Sequence, residues 1–78
     1  MIAQEARRKA IWNSLPKLIT NAIIDTIERG MLETGPINID SIHDSDIPIL
    51  IINLQILGYK VDHNYVNGSK IINIEFYN

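Results

Sequence analysis

Residues 44–58 read Asp-Ser-Asp-Ile-Pro-Ile-Leu-Ile-Ile-Asn-Leu-Gln-Ile-Leu-Gly, and this stretch predicts a short buried helix around which the fold is built. Asp44 or Ser45 can accept hydrogen bonds from the first free backbone N–H groups, and Pro48 suits a first helical turn. Gly58 can adopt the left-handed conformation that ends a helix. Between these signals, five apolar residues follow the spacing of one buried helix face: Ile47, Leu50, Ile51, Leu54 and Leu57.

The same helix carries a second apolar stripe, formed by Ile49, Ile52 and Ile56. This stripe lies roughly 100° around the helix from the first one. A helix that is apolar on most sides must be covered on most sides, and a chain of 78 residues has few elements that can cover it. Either the N-terminal helices cover the second stripe or another chain does. The second possibility is the main indication of function in the sequence.

Two helices are predicted before this stretch, over residues 1–13 and 15–29, with a break or kink at Pro16. The sole tryptophan, Trp12, is expected to anchor the first helix to the core, although at a surface it would be typical of an interface anchor. Arg7, Arg8 and the following lysine form a basic cluster, which is either a solvated helix face or a docking arm for an acidic partner or a nucleic-acid backbone. The second helix ends at Gly30, and its buried side is predicted to comprise Leu15, Leu18, Ile19, Ala22, Ile23 and Ile27.

The remaining segments read as strands. A turn at Gly35-Pro36 precedes a short strand over 37–40, and Asn67-Gly68 predicts a hairpin between strands at 59–65 and 70–77. Alternation directs Ile72, Ile74, Phe76, Tyr59 and Val61 towards the helices. Ile71 and Tyr77 would point to the opposite face of the sheet, which is either exposed to solvent or bound to a partner. The sequence therefore predicts one α+β domain over 1–78 with the order α-α-β-α-β-β and a small antiparallel sheet.

Composition narrows the function classes. Cysteine is absent, so neither disulfides nor thiolate metal sites are available. The net charge of −2 gives no general attraction to nucleic acid or to anionic membranes, so a nucleic-acid partner is not expected. The apolar run 47–57 is far shorter than the roughly 20 residues of a membrane span. No secretory signal is recognisable at the N-terminus. We therefore expect a protein that works inside a cell or is assembled there.

No catalytic or cofactor-binding motif is present, and we expect neither enzyme activity nor a cofactor. The only dense polar cluster comprises Asp40, His43, Asp44 and Asp46. Its oxygens allow a weak Ca²⁺ or Mg²⁺ site, but helix capping explains the same residues and is favoured. The tyrosines and Phe76 suggest a stacking platform for single-stranded nucleic acid, yet the strands lack the alternating cations of such platforms.

Three motifs resemble a type of small protein found in tailed bacteriophages: Glu5-Ala6-Arg7 in the first helix, Leu57-Gly58-Tyr59-Lys60-Val61 at the helix-to-strand junction, and alternating isoleucines before the aromatic end Phe76-Tyr77. The chain departs from that type at its end, where a tryptophan is expected. The resemblance spans nearly the whole chain. It implies a component of the virion, assembled in the host cytoplasm, and it implies no activity and no functional residues.

These observations favour a non-enzymatic structural protein at the head, neck or tail of a phage particle, acting through protein–protein packing. Its partner would be a second copy or a larger virion protein. The residues expected to contact that partner are Ile49, Ile52, Ile56, Trp12, Arg7, Arg8 and Tyr77. The alternative is a small phage-encoded inhibitor that binds a host enzyme or defence protein. Such inhibitors are more often acidic monomers, and the mild charge of this chain favours the structural role.

Overall fold

The structure is a computed structural model, and it describes residues 3–76. In this range the elements follow the predicted order α-α-β-α-β-β. A 3₁₀ turn at Asp44–Asp46 precedes the third helix. The bounds of the main elements are α1 Ala3–Ser14, α2 Lys17–Glu28, β1 Glu33–Asn38, α3 Ile47–Ile56, β2 Tyr59–Val66 and β3 Ser69–Phe76.

The strands form one antiparallel sheet with the order β1-β3-β2, so that β3 is central. The predicted α+β class is therefore confirmed. One face of the sheet carries the core: Ile72 and Ile74 of β3 are fully buried, and Val61 and Tyr59 of β2 pack beside them. The buried core residues from the helices and loops are Leu15, Ile19, Ile23, Ile39, Ile47, Leu50 and Leu54.

The buried side of α2 is narrower than predicted. Ile19 and Ile23 are fully buried, but Leu18 and Ile27 are 41% and 57% exposed. The last inward-facing position of α2 is occupied by Thr26, which is buried and donates its hydroxyl to the carbonyl of Ala22 at 2.7 Å. This hydrogen bond satisfies the buried hydroxyl. Since Ile27 lies one position further around the helix, it is directed towards solvent.

Strand β1 begins earlier than predicted, and it contains the Gly35-Pro36 pair that was predicted to form a turn. Gly35 has a φ of +72°, and the pairing register with β3 shifts between Glu33 and Pro36. Glycine tolerates this conformation, and an edge strand tolerates a proline that lacks an N–H donor. The two residues therefore make a β-bulge at the sheet edge rather than a turn.

The cap before α3 is His43, which belongs to the polar cluster for which helix capping was predicted, rather than Asp44 or Ser45. The Nδ1 atom of His43 accepts a hydrogen bond from the backbone N–H of Ser45 at 3.2 Å, so His43 caps the 3₁₀ turn. Neither Asp44 nor Ser45 acts as the cap, and the side chain of Asp46 makes no capping bond to α3. Pro48 lies in the first turn of α3, as predicted.

The C-terminal hairpin has the predicted turn. Asn67 and Gly68 have φ values of 52° and 82°, as the favoured two-residue turn requires. The strands on either side pair without interruption from Val66↔Ser69 to Tyr59↔Phe76. Tyr77, which was predicted to extend β3, lies outside the described residues.

The buried face of α3 holds the helix to the sheet, and truncating it should be costly. Leu54 is fully buried, so Leu54→Ala should lower the free energy of unfolding by about 2–5 kcal/mol. The matched control is Gln55→Ala at the next, exposed position, which should change it by less than about 0.5 kcal/mol. Urea denaturation followed by circular dichroism measures both. Equal effects of the two substitutions would show that α3 is not packed as described.

Candidate interaction surface

The second apolar stripe faces away from the sheet. Ile49 and Ile52 are 58% and 54% exposed, and Ile56 is partly buried. Ile47, Leu50 and Leu54 of the same helix are buried in the core. Among the described residues, the N-terminal helices do not cover the stripe. Two large aliphatic side chains therefore meet solvent side by side on one helix.

Ile49 lines an open groove between α2 and α3, which we call the α2–α3 groove. The groove has a volume of about 600 Å³. Leu18 lies on its opposite side and is also exposed. Ser14, Leu15 and Pro16 border the groove where α1 leads into α2. The exposed part of Ile49 thus belongs to a concave, largely apolar surface rather than to an isolated side chain.

Ile52 lines a second open groove of about 510 Å³, on the other side of α3, which we call the α3–β2 groove. Pro48 and Ile51 lie beside it on the helix, and His63 and Tyr65 lie opposite on β2. The rings of His63 and Tyr65 are 5.2 Å apart at an interplanar angle of 50°. Tyr65 is 68% exposed, so the groove has an apolar wall that no described residue covers.

Helix α1 packs little against the rest of the chain, since none of its residues is buried. Trp12 is partly buried and contacts the core, which fits the anchoring role predicted for it. Arg7 and Arg8 are exposed, and within residues 3–76 their side chains form no ion pair. An isolated helix of 12 residues is marginal in water, so the contact of Trp12 with the core helps to hold α1 in place. The contacts predicted for Tyr77 lie outside the described residues.

The polar cluster before α3 is held together by Lys70. The Lys70 Nζ atom donates to the carbonyl of Ile42 at 2.8 Å and to the carboxylate of Asp44 at 2.7 Å. Its backbone N–H donates to the carboxylate of Asp40 at 2.8 Å. These bonds tie the start of β3 to the segment before α3. Among residues 3–76, no group of three metal-ligating side chains is found.

Hydrogen bonds from Lys70 also set the acidity of the two carboxyls. The backbone N–H of Lys70 lowers the pKa of Asp40 below its ordinary value of 3.8. The Lys70 ammonium lowers the pKa of Asp44, through a hydrogen bond and through its charge. Both effects favour the charged carboxylate. The hydrogen bonds of Lys70 therefore stabilise the fold by linking the start of β3 to the segment before α3.

Sequence reasoning missed three features of the structure. Lys70 carried no recognisable signal, because its partners lie 26–30 residues away in the chain. Tyr65 and Val66 are both more than half exposed at the end of β2. Leu32, between α2 and β1, is 77% exposed. The exposure at the end of β2 could have been predicted, because Tyr65 and Val66 are adjacent apolar residues and alternation along a strand would bury only one of them.

Comparison of the chain with protein-family models, with curated proteins and with solved structures finds no match. Between residues 3 and 76, no helix has both the length and the apolar character needed to cross a bilayer.

Replacing Lys70 should affect its two acidic partners differently. In Lys70→Met the ammonium is lost, so the pKa of Asp44 should rise towards 3.8. The pKa of Asp40 should stay low, because the backbone N–H that lowers it remains. The lost bond to Ile42 should reduce the free energy of unfolding by about 1–2 kcal/mol. NMR titration of the carboxyl carbons measures both pKa values, and a rise at both residues alike would contradict this assignment.

The pH dependence of wild-type stability follows from the same two groups. Their folded-state pKa values lie below the unfolded ones, so they stabilise the fold fully above the ordinary value of 3.8. This contribution should be lost as the pH falls from 3.8 through the lowered pKa values. In Lys70→Met, the contribution of Asp44 to this stability should be smaller, because the Lys70 ammonium is the main cause of its lowered pKa. Thermal unfolding between about pH 6 and pH 2 measures the effect, and an identical acid profile for both proteins would contradict it.

Proposed function

We propose that this chain is a non-enzymatic packing protein, a small accessory subunit of a tailed-phage particle at its head, neck or tail. Its second apolar stripe, formed by Ile49, Ile52 and Ile56, would be covered by a second copy or by a larger virion protein. The observation that carries the proposal is the exposure of Ile49 and Ile52, each lining an open apolar groove.

The size of the chain supports a role in assembly. An interface of ordinary size takes about 800 Å² from each partner, roughly one seventh of the 5336 Å² surface of this molecule. Covering the stripe removes aliphatic area from water, and each Å² of such area contributes about 25 cal/mol. Association with a partner that binds only the folded state also raises the stability of a small domain.

The phage origin is supported by the sequence resemblance, above all by Leu57-Gly58-Tyr59-Lys60-Val61 at the junction between α3 and β2. The alternative role, an inhibitor of a host enzyme or defence protein, is favoured by one observation. Residues 17–76 contain eight acidic and four basic residues, a net charge of −4, which suits a basic target. We favour the virion role because Ile49 and Ile52 are each more than half exposed in these grooves, which Asp46 and Asp44 also line.

Ile52→Asp tests whether the stripe is an interface. The charged side chain should abolish assembly, because an unpaired carboxylate cannot be buried in an apolar contact. The folded monomer should be preserved, since Ile52 is 54% exposed. Leu32→Asp is the matched control, at an exposed apolar residue outside both grooves, and it should assemble like the wild type. Size-exclusion chromatography and circular dichroism measure the two properties. If the Ile52→Asp variant unfolds while Leu32→Asp stays folded, the second apolar stripe belongs to the core and is not an interface.

Mass spectrometry of purified phage particles tests the virion role itself. The chain should be present in a fixed ratio to the major particle proteins, and Ile52→Asp should reduce that ratio while Leu32→Asp should not. Absence of the wild-type chain from purified particles would contradict the virion role. Recovery of the chain bound to a host enzyme in infected cells would support the inhibitor role instead.

A further inference from the structure

The two edges of the sheet differ in how they are protected. Strand β1 contains the Gly35 bulge and Pro36, and both features oppose pairing with a further strand. Strand β2 is eight residues long and contains neither glycine nor proline, and its pairing with β3 is uninterrupted. Only the β2 edge therefore has the regular backbone that a further strand requires.

The register shows which backbone groups of β2 point outward. On β3, Phe76 donates its N–H to the carbonyl of Leu32, and the Lys70 carbonyl accepts from Ile39, so even-numbered residues of β3 point towards β1. The odd-numbered residues consequently bond to β2. Their partners on β2 are Lys60, Asp62, Asn64 and Val66, and the residues with outward N–H and C=O groups are Tyr59, Val61, His63 and Tyr65.

These outward backbone groups form no hydrogen bonds to loops or side chains among residues 3–76. A row of unpaired N–H and C=O groups on a straight edge is a template for another strand. The side chains beside this row include Tyr65, which is 68% exposed and lines the α3–β2 groove with Ile52. The open edge and the exposed apolar groove thus lie next to each other.

We propose that β2 pairs antiparallel with β2 of a second copy, around a two-fold axis at Val61, and so joins two three-stranded sheets into one sheet of six strands. In this register Val61 exchanges both backbone hydrogen bonds with its counterpart, and Tyr59 pairs with His63 of the second copy. This inference rests on the packing role proposed above, and it specifies the partner.

Charge complementarity selects the second copy and this register. With Val61 on the axis, Lys60 of each copy lies opposite Asp62 of the other, which makes two opposite-charge cross-strand pairs. With Asp62 on the axis, two carboxylates would face each other, and such a pair is destabilising. The edge is therefore complementary to itself in one particular register.

The same arrangement covers part of the second apolar stripe. Helix α3 packs against β2, so the two-fold axis brings both α3 helices to the same face of the joined sheet. The two α3–β2 grooves then face each other across the axis. Ile52 and Tyr65 would be buried between the copies, whereas Ile49, in the α2–α3 groove, would remain open to a further partner.

Amide hydrogen exchange by NMR tests the pairing directly. The outward amides of Tyr59, Val61 and His63 should exchange at least about tenfold more slowly in concentrated than in dilute solution. The inward amides of Asp62 and Asn64 should be protected at both concentrations. Fast exchange at Val61 in concentrated solution would contradict the inference.

Charge substitutions provide a second test. Asp62→Lys puts like charges opposite each other at both pairs and should weaken dimerisation at least about tenfold. The double variant Lys60→Asp with Asp62→Lys restores opposite charges and should recover dimerisation. Glu28→Lys is the control, with the same charge change at an exposed residue outside the strands. Sedimentation velocity measures association, and circular dichroism checks folding. Equal association of Asp62→Lys and Glu28→Lys would contradict the proposed register.

The two proposals fail separately. A chain that stays monomeric in isolation, yet is present in purified particles in an Ile52-dependent way, would overturn β2 pairing and leave the packing role intact. A chain that dimerises through β2 but is absent from particles would support the pairing and overturn the virion role.

Discussion

The structure depends on how α3 is covered. The sheet and α2 cover one side of this helix, where Ile47, Leu50 and Leu54 are buried. The opposite side is also aliphatic, and among residues 3–76 no element covers it, since Ile49 and Ile52 are more than half exposed and α1 contributes no buried residue. A chain of 78 residues buries a smaller share of its surface than a larger domain does, so it has few elements with which to cover a helix on every side. The exposed side therefore remains available to another chain.

The two edges of the sheet also differ in whether they are protected against pairing with another strand. Gly35 and Pro36 close one edge through a bulge and a missing N–H donor, whereas β2 offers a regular backbone next to the exposed Tyr65. The Lys70 network fixes the segment before α3 against β3, which holds α3 over the sheet. Among residues 3–76, Ile49 and Ile52 of α3 and the outer edge of β2 are therefore left without cover.

Much of the fold could be predicted from the sequence, because periodicity and turn residues act locally. The buried face of α3, the Asn67-Gly68 hairpin and the element order all followed from spacing over a few residues. The Gly35 bulge and the hydrogen bonds of Lys70 could not, since each depends on which segment lies opposite in space. For the same reason the sequence left open whether Ile49 and Ile52 are covered by their own chain. Capping by His43 is a local contact with Ser45, and the sequence had placed His43 in the polar cluster assigned to helix capping.

Sedimentation equilibrium of the isolated full chain tests the central claim most directly, because it measures whether the uncovered side of α3 and β2 finds a partner in a second copy. The account predicts a concentration-dependent rise in mass from 8.9 kDa towards twice that value. A constant mass of 8.9 kDa at every concentration, for a folded protein, would contradict it.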